Sequence, residues 1–103
     1  MLACLLALAL SASVPASAAD VPDEEVLAIV QKHCVPCHAR EPQHPAFDKP
    51  PRDLELETVA QLKKKAANIL EQSVETRAMP LGNQTEMTDS ERVTLGRWIA
   101  TQK

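Results

Sequence analysis

Cys34-Val35-Pro36-Cys37-His38 is the stretch that decides how the rest of the chain is read. Two cysteines separated by two residues, with a histidine directly after the second, form the C-x-x-C-H pattern of covalent haem attachment. The spacing has a chemical purpose. Two thiols that far apart can each form a thioether with one of the two vinyl groups on a porphyrin edge. The histidine that follows is then held beneath the iron, where its imidazole becomes the proximal ligand. Two other chemistries use a C-x-x-C pair. A thioredoxin-like dithiol needs a strand leading into a helix, whereas the segment before Cys34 reads as a helix. A zinc site has no second cysteine pair to complete it and would have to recruit His33, His38 or His44 at unusual spacings. The reading therefore takes one covalent haem c, held by Cys34, Cys37 and His38.

A proximal histidine leaves the sixth iron position to fill. In an electron carrier the usual second ligand is methionine, whose thioether stabilises ferrous iron and raises the potential. Beyond the N-terminal segment the choices are Met79 and Met87. Met79 precedes Pro80 in a loop between two helical patterns, where a chain can wrap over the far face of a haem, and it is the favoured ligand. Met87, just before the last helix, reads as a packing residue and stands as the alternative. A ligating histidine normally donates its other ring N–H to a carbonyl or carboxylate, and the expected acceptor is the carbonyl of Pro50 or Pro51. Arg52 and Arg77 are candidate partners for haem propionates. Asn83 and Gln84 are read as turn residues or as hydrogen-bond partners of the methionine sulfur or a propionate. His33 and His44 are read as a helix-end residue and a loop residue.

Three helical patterns flank these residues. The first spans about Pro22 to His33, with Asp23, Glu24 and Glu25 suiting the positive end of the helix dipole and Val26, Ile29, Val30 and His33 forming a buried stripe. From Ala39 to Glu57, Pro42, Pro45, Pro50 and Pro51 predict an extended loop. The second helix is expected from Val59 to Val74, opened by a Thr58–Gln61 capping box, with Leu62, Ala66, Ile69, Leu70 and Ser73 on one face. Its Lys63-Lys64-Lys65 run is a solvated face or a docking patch for an acidic partner. The third runs from Asp89 to Thr101 behind a Thr88–Glu91 capping box, burying Leu95, Trp98 and Ile99. With no period-two pattern anywhere, the fold class is all-α.

A domain of roughly 80 residues has an unfavourable surface-to-volume ratio. This one also has one Phe, one Trp and no Tyr. A large flat apolar cofactor would make up that deficit. The net charge of -3 argues against a nucleic-acid partner. At the N-terminus, the apolar run Leu2 to Leu10 is followed by Ala16-Ser17-Ala18, an h-region and a small-residue cleavage site. Residues 1–19 are therefore expected to be a signal peptide and residues 20–103 the exported domain, placed in the periplasm, where haem is attached in bacteria. No Lys or Arg precedes the apolar run. The run is much shorter than the roughly 20 apolar residues of a spanning helix.

A helix ending in C-x-x-C-H, then a Met-Pro loop, then a last helix with Leu95 and Trp98 three apart, resembles the class I cytochrome c family. The resemblance covers nearly all of the chain after the signal and implies a small domain of three main helices around one haem. It implies that the first and last helices cross, with Val26 and Val30 meeting Leu95 and Trp98 and Gly96 allowing close approach. A narrower likeness lies in Thr76-Arg77-Ala78-Met79-Pro80-Leu81-Gly82-Asn83-Gln84-Thr85-Glu86-Met87-Thr88, with Glu91-Arg92 and Trp98-Ile99 after it. This is similar to the cytochrome c domain at the C-terminus of bacterial membrane-bound urate hydroxylases (urate oxidases), where a multi-spanning domain comes first. Here a signal-like segment stands in that place. The likeness implies a partner, a urate-oxidising or other membrane oxidoreductase, and gives this chain no means of oxidising urate itself.

The function expected is single-electron transfer by a monomer with His38/Met79-ligated haem and no substrate of its own. Two alternatives stay open at this level. One is a haem-carrying subunit wired into a larger oxidoreductase. The other is an open-sited haem protein that binds a small ligand or reduces peroxide, for which no distal His/Arg pair is evident.

Overall fold

The computed structural model describes residues 20–102; the expected signal segment, residues 1–19, lies outside the described residues. All regular elements among them are helical: α1 (Asp23–His33), α2 (Val59–Lys64), α3 (Ala66–Ile69), which continues into a π-type segment (Leu70–Glu75), and α4 (Asp89–Ala100). None of these helices is long and apolar enough to cross a membrane.

α1 begins one residue later than its proline suggests. Pro22 sits at the cap in an extended conformation, and Asp23, Glu24 and Glu25 fill the first turn. There they offset the partial positive charge of the unpaired N–H groups. α4 starts as its sequence dictates: the Thr88 hydroxyl accepts from the Glu91 amide and the Glu91 carboxylate accepts from the Thr88 amide. The same reciprocal pattern, with Thr58 and Gln61, opens α2.

The one long helix expected over residues 59–74 is instead divided. Lys65 leaves the helical region (φ -106°, ψ 15°), and the last stretch widens into π-type turns. The widening has a structural consequence. Wider turns release carbonyls from the regular ladder, and those of Gln72 and Ser73 are taken up by the chain that follows: Gln72 O accepts from the Met79 amide, and Ser73 O from Arg92. The tertiary demand of that later loop outweighs the regular periodicity of the sequence.

The core forms where α1 crosses α4 and the π-type segment packs beside them. Val26, Val30, Leu62, Leu95 and Trp98 are its most deeply enclosed side chains, joined by Ile29, Leu56, Ile69, Met87 and Ile99. The α1–α4 pairing expected for Val26 and Val30 with Leu95 and Trp98 thus falls within one buried cluster. Gly96 has another neighbour: a Cβ there would lie 3.2 Å from a Val74 methyl, so the close approach it allows is between α4 and the π-type segment. Trp98 also ties the far ends of the two helices, its indole N–H donating to Asp23 Oδ1 at 2.9 Å.

Candidate haem-attachment site

The C-terminal end of α1 delivers the candidate cysteines. The amides of Cys34 and Val35 both donate to Val30 O, and that of His38 donates to Cys34 O at 2.8 Å. The C-x-x-C-H segment is therefore a compact turn directly continuous with the buried helix. Cys34 and Cys37 are half-buried and not bonded to each other. Burial, and then the neighbouring Cys37, pushes the Cys34 thiol up to about 12, and burial raises that of Cys37 as well. No group of three or more His, Cys, Asp or Glu side chains among the described residues is arranged to hold a metal ion.

His38 is fixed at two points against the segment before α2. Its Nδ1–H donates to Leu54 O at 2.9 Å, and its own carbonyl accepts from the Leu56 amide at 2.8 Å. A carbonyl only accepts, so Nδ1 carries a proton, and in the neutral ring it is Nε2 that keeps its lone pair. That is the tautomer a metal-ligating histidine requires. The acceptor is not Pro50 or Pro51, as expected from sequence. Those two carbonyls are used in the turn at Pro51–Asp53, accepting from the Asp53 and Leu54 amides. Leu54 is the first residue beyond the turn with an extended backbone, and its carbonyl is the one left to meet the imidazole.

The two methionines are treated very differently. Met87 is 5% exposed and belongs to the core cluster, and its amide donates to Asn83 Oδ1 at 3.0 Å. Met79 is half-buried and both of its backbone polar groups are tied: the N–H to Gln72 O at 2.8 Å, and the carbonyl to Arg92 Nη1 at 2.8 Å. Its loop is tightly turned, with Arg77, Gly82, Asn83 and Glu86 at φ between 48° and 61°. This left-handed region is strained for most side chains and free of penalty for Gly82.

The remaining candidates fall into place around this loop. Asn83 is a turn residue whose side chain brackets Met87, donating from Nδ2 to Met87 O as well. Gln84 Oε1 accepts from His44 Nε2–H at 3.2 Å, which joins the Pro-rich loop to the Met79 loop. Arg77 pairs with Asp89 at 3.0 Å, a solvent-exposed pair of small energetic value, while Arg52 lies exposed in the Pro51–Asp53 turn. Lys63 and Lys64 are exposed and Lys65 is half-buried at the helix break.

Two features go beyond the sequence reading. His33 does lie on the buried stripe of α1, and it also braces α1 to α4: Nε2–H donates to Glu91 Oε2 at 2.8 Å, and Nδ1 lies 2.7 Å from Thr85 Oγ1. Arg92 is 5% exposed. Its spacing with Leu95 and Ile99 on α4 is the signal that places it on the inner face.

Glu91 makes the brace sensitive to acid. Burial pushes its carboxyl up, but hydrogen bonds from the Thr88 amide and the His33 ring outweigh this and hold it below its usual 4.5. A folded value below the unfolded one means stability that is present above pH 4.5 and lost as pH falls through the folded value. Urea melts at a series of pH values check this. Glu91→Gln is expected to be less stable than wild type at neutral pH, with the gap closing below that window; a gap independent of pH contradicts it.

No family model, no curated protein and no solved structure matches the chain. The donors a covalently held haem would use are present at this turn: paired thiols that are not in a disulfide and an imidazole whose Nδ1–H is held by a carbonyl.

Proposed function

We propose that this chain is a mono-haem c-type cytochrome of the class I kind, an exported single-electron carrier. Cys34 and Cys37 are the attachment residues, His38 the proximal ligand and Met79 the distal one. The observation that carries the reading is His38 directly after the unbonded cysteines with Nδ1–H committed to Leu54 O. That contact holds the ring in one orientation and leaves Nε2 as the nitrogen that would bind a metal.

When bound, haem supplies a one-electron ferric/ferrous couple whose potential depends on its axial ligands and burial. The chain does the rest. Cys34 and Cys37 would hold the haem through thioethers, each thiol adding its sulfur and its hydrogen across one vinyl double bond so that no oxidant is needed. The Met79 thioether would favour the reduced state, and the shared α1–α4 core carries the attachment turn at the end of α1. The partner is a redox protein or membrane oxidoreductase. A urate-oxidising membrane protein is the first to try, on the likeness of the Met79 loop.

The test is expression with a cytochrome c maturation system in an exported form. Expected are haem that stays with the polypeptide after denaturation, a low-spin spectrum in both oxidation states, and indifference of the reduced protein to carbon monoxide. Correctly exported protein without covalent haem overturns the reading. Rapid carbon monoxide binding overturns the carrier role in favour of an open site.

A further inference from the structure

We propose that Arg92 is the positioning residue of the Met79 loop, holding the Met79 backbone where its side chain reaches the iron. The inference rests on the reading of Met79 as distal ligand. Arg92 is a buried cation, 5% exposed, and among the described residues its hydrogen-bond partners include no carboxylate. Its guanidinium instead gathers three oxygens from the two sides of the loop. Nη1 donates to Ser73 O at 2.6 Å, on the π-type segment before the loop, and to Met79 O at 2.8 Å. Nη2 donates to Asn83 Oδ1 at 3.4 Å, beyond the methionine. A buried charge is costly unless fully hydrogen-bonded, so these oxygens and the guanidinium require one another. The planar fork fixes their relative positions in a way that a lysine ammonium cannot.

The arrangement has a further logic. Met79 N–H is held by Gln72 O and Met79 O by Arg92, which leaves the side chain as the residue's freely directed part. The same Asn83 oxygen accepts from the Met87 amide, so the guanidinium also joins the loop to the core residue that anchors its far end. α4 thereby serves two purposes: its Leu95–Trp98 side completes the core, and Arg92 sets the loop.

The competition between Met79 and added imidazole for the iron measures how firmly the loop is set. In holoprotein with wild-type sequence, imidazole is expected to displace the sulfur-to-iron charge-transfer band only at high concentration. Arg92→Lys and Arg92→Met are expected to bind imidazole at least about tenfold more tightly, which is about 1.4 kcal/mol of lost ligand hold. Leu62→Ala, which empties a fully buried core position without removing a hydrogen bond to the loop, serves as the control and is expected to stay within about twofold of wild type. Equal imidazole affinity in wild type and both Arg92 variants, or an equal rise in the control, overturns the proposal while the Met79 reading stands. Absence of the charge-transfer band from wild type removes both.

A second measurement needs no variant. Nitrogen-15 spectra of the wild-type holoprotein are expected to show separate, slowly exchanging Arg92 Nη resonances. A single averaged Nη signal overturns the proposal.

Discussion

Met79→Ala is expected to abolish the sulfur-to-iron charge-transfer band of the oxidised holoprotein, while Met87→Ala keeps the band and loses stability. The two methionines stand eight residues apart, on either side of one tight loop, so proximity along the chain does not separate them. Burial and partners do. Met87 is 5% exposed and surrounded by core side chains; truncating such a methionine costs about 2–5 kcal/mol through lost transfer energy and the cavity left behind. A domain of this size has only about 4–12 kcal/mol in total, so Met87→Ala lowers the melting point severely. Met79 is half-buried and outside the core cluster, so its truncation removes little packing. The expected pattern is therefore asymmetric: at position 79 the band is lost with only the stability the iron–sulfur bond supplied, and at position 87 stability is lost through packing while the band is kept. Optical spectra and thermal melts of both holoproteins decide it. A band that vanishes only in Met87→Ala transfers the ligand role to Met87 and leaves the attachment residues untouched.

How much of this was legible in the sequence depends on how local the cause is. α1 and α4 were readable because their starts and their buried stripes are written within a dozen residues: the acids after Pro22, the Thr88–Glu91 box, and the Val26/Ile29/Val30 and Leu95/Trp98/Ile99 spacings. The start of α2 was readable for the same reason. Its break at Lys65 was not, because nothing in a lysine's helix propensity opposes a helix; the carbonyls released after the break serve Met79 and Arg92, residues still to come in the chain. The His38 acceptor illustrates the same divide. A carbonyl near Pro50 was the right neighbourhood, but the turn over Pro51–Asp53 uses both proline carbonyls internally, and the free one appears at Leu54. The His33–Glu91 brace joins residues whose separation no local pattern spans. The C-x-x-C-H pattern is readable because it is contiguous, and the haem proposed for it rests on that pattern and on the His38 contact.

The second large effect is expected at the other end of the α1–α4 crossing. Trp98 is the chain's single tryptophan and is 1% exposed. It holds α1 by two means: its ring packs in the core with Val26 and Val30, and its N–H donates to Asp23. Their magnitudes separate them. Emptying the space of a buried Trp costs about 3–5 kcal/mol. A single hydrogen bond contributes about 0.5–1.5 kcal/mol net, and less where the acceptor is exposed, as Asp23 is, because water replaces the lost donor. Trp98→Ala is therefore expected to leave the holoprotein largely unfolded well below the wild-type transition. Trp98→Phe is expected to keep most of the stability, and Asp23→Ala nearly all of it. Far-UV circular dichroism melts of the three holoproteins give the comparison. If Asp23→Ala costs as much as Trp98→Ala, the hydrogen bond and not the packing holds the crossing. The consequence for the proposed haem site follows from continuity, because α1 ends in the C-x-x-C-H turn. An α1 that no longer packs on α4 carries Cys34 and His38 away from Leu54 and the Met79 loop, so Trp98→Ala should also weaken the charge-transfer band at temperatures where Trp98→Phe retains it.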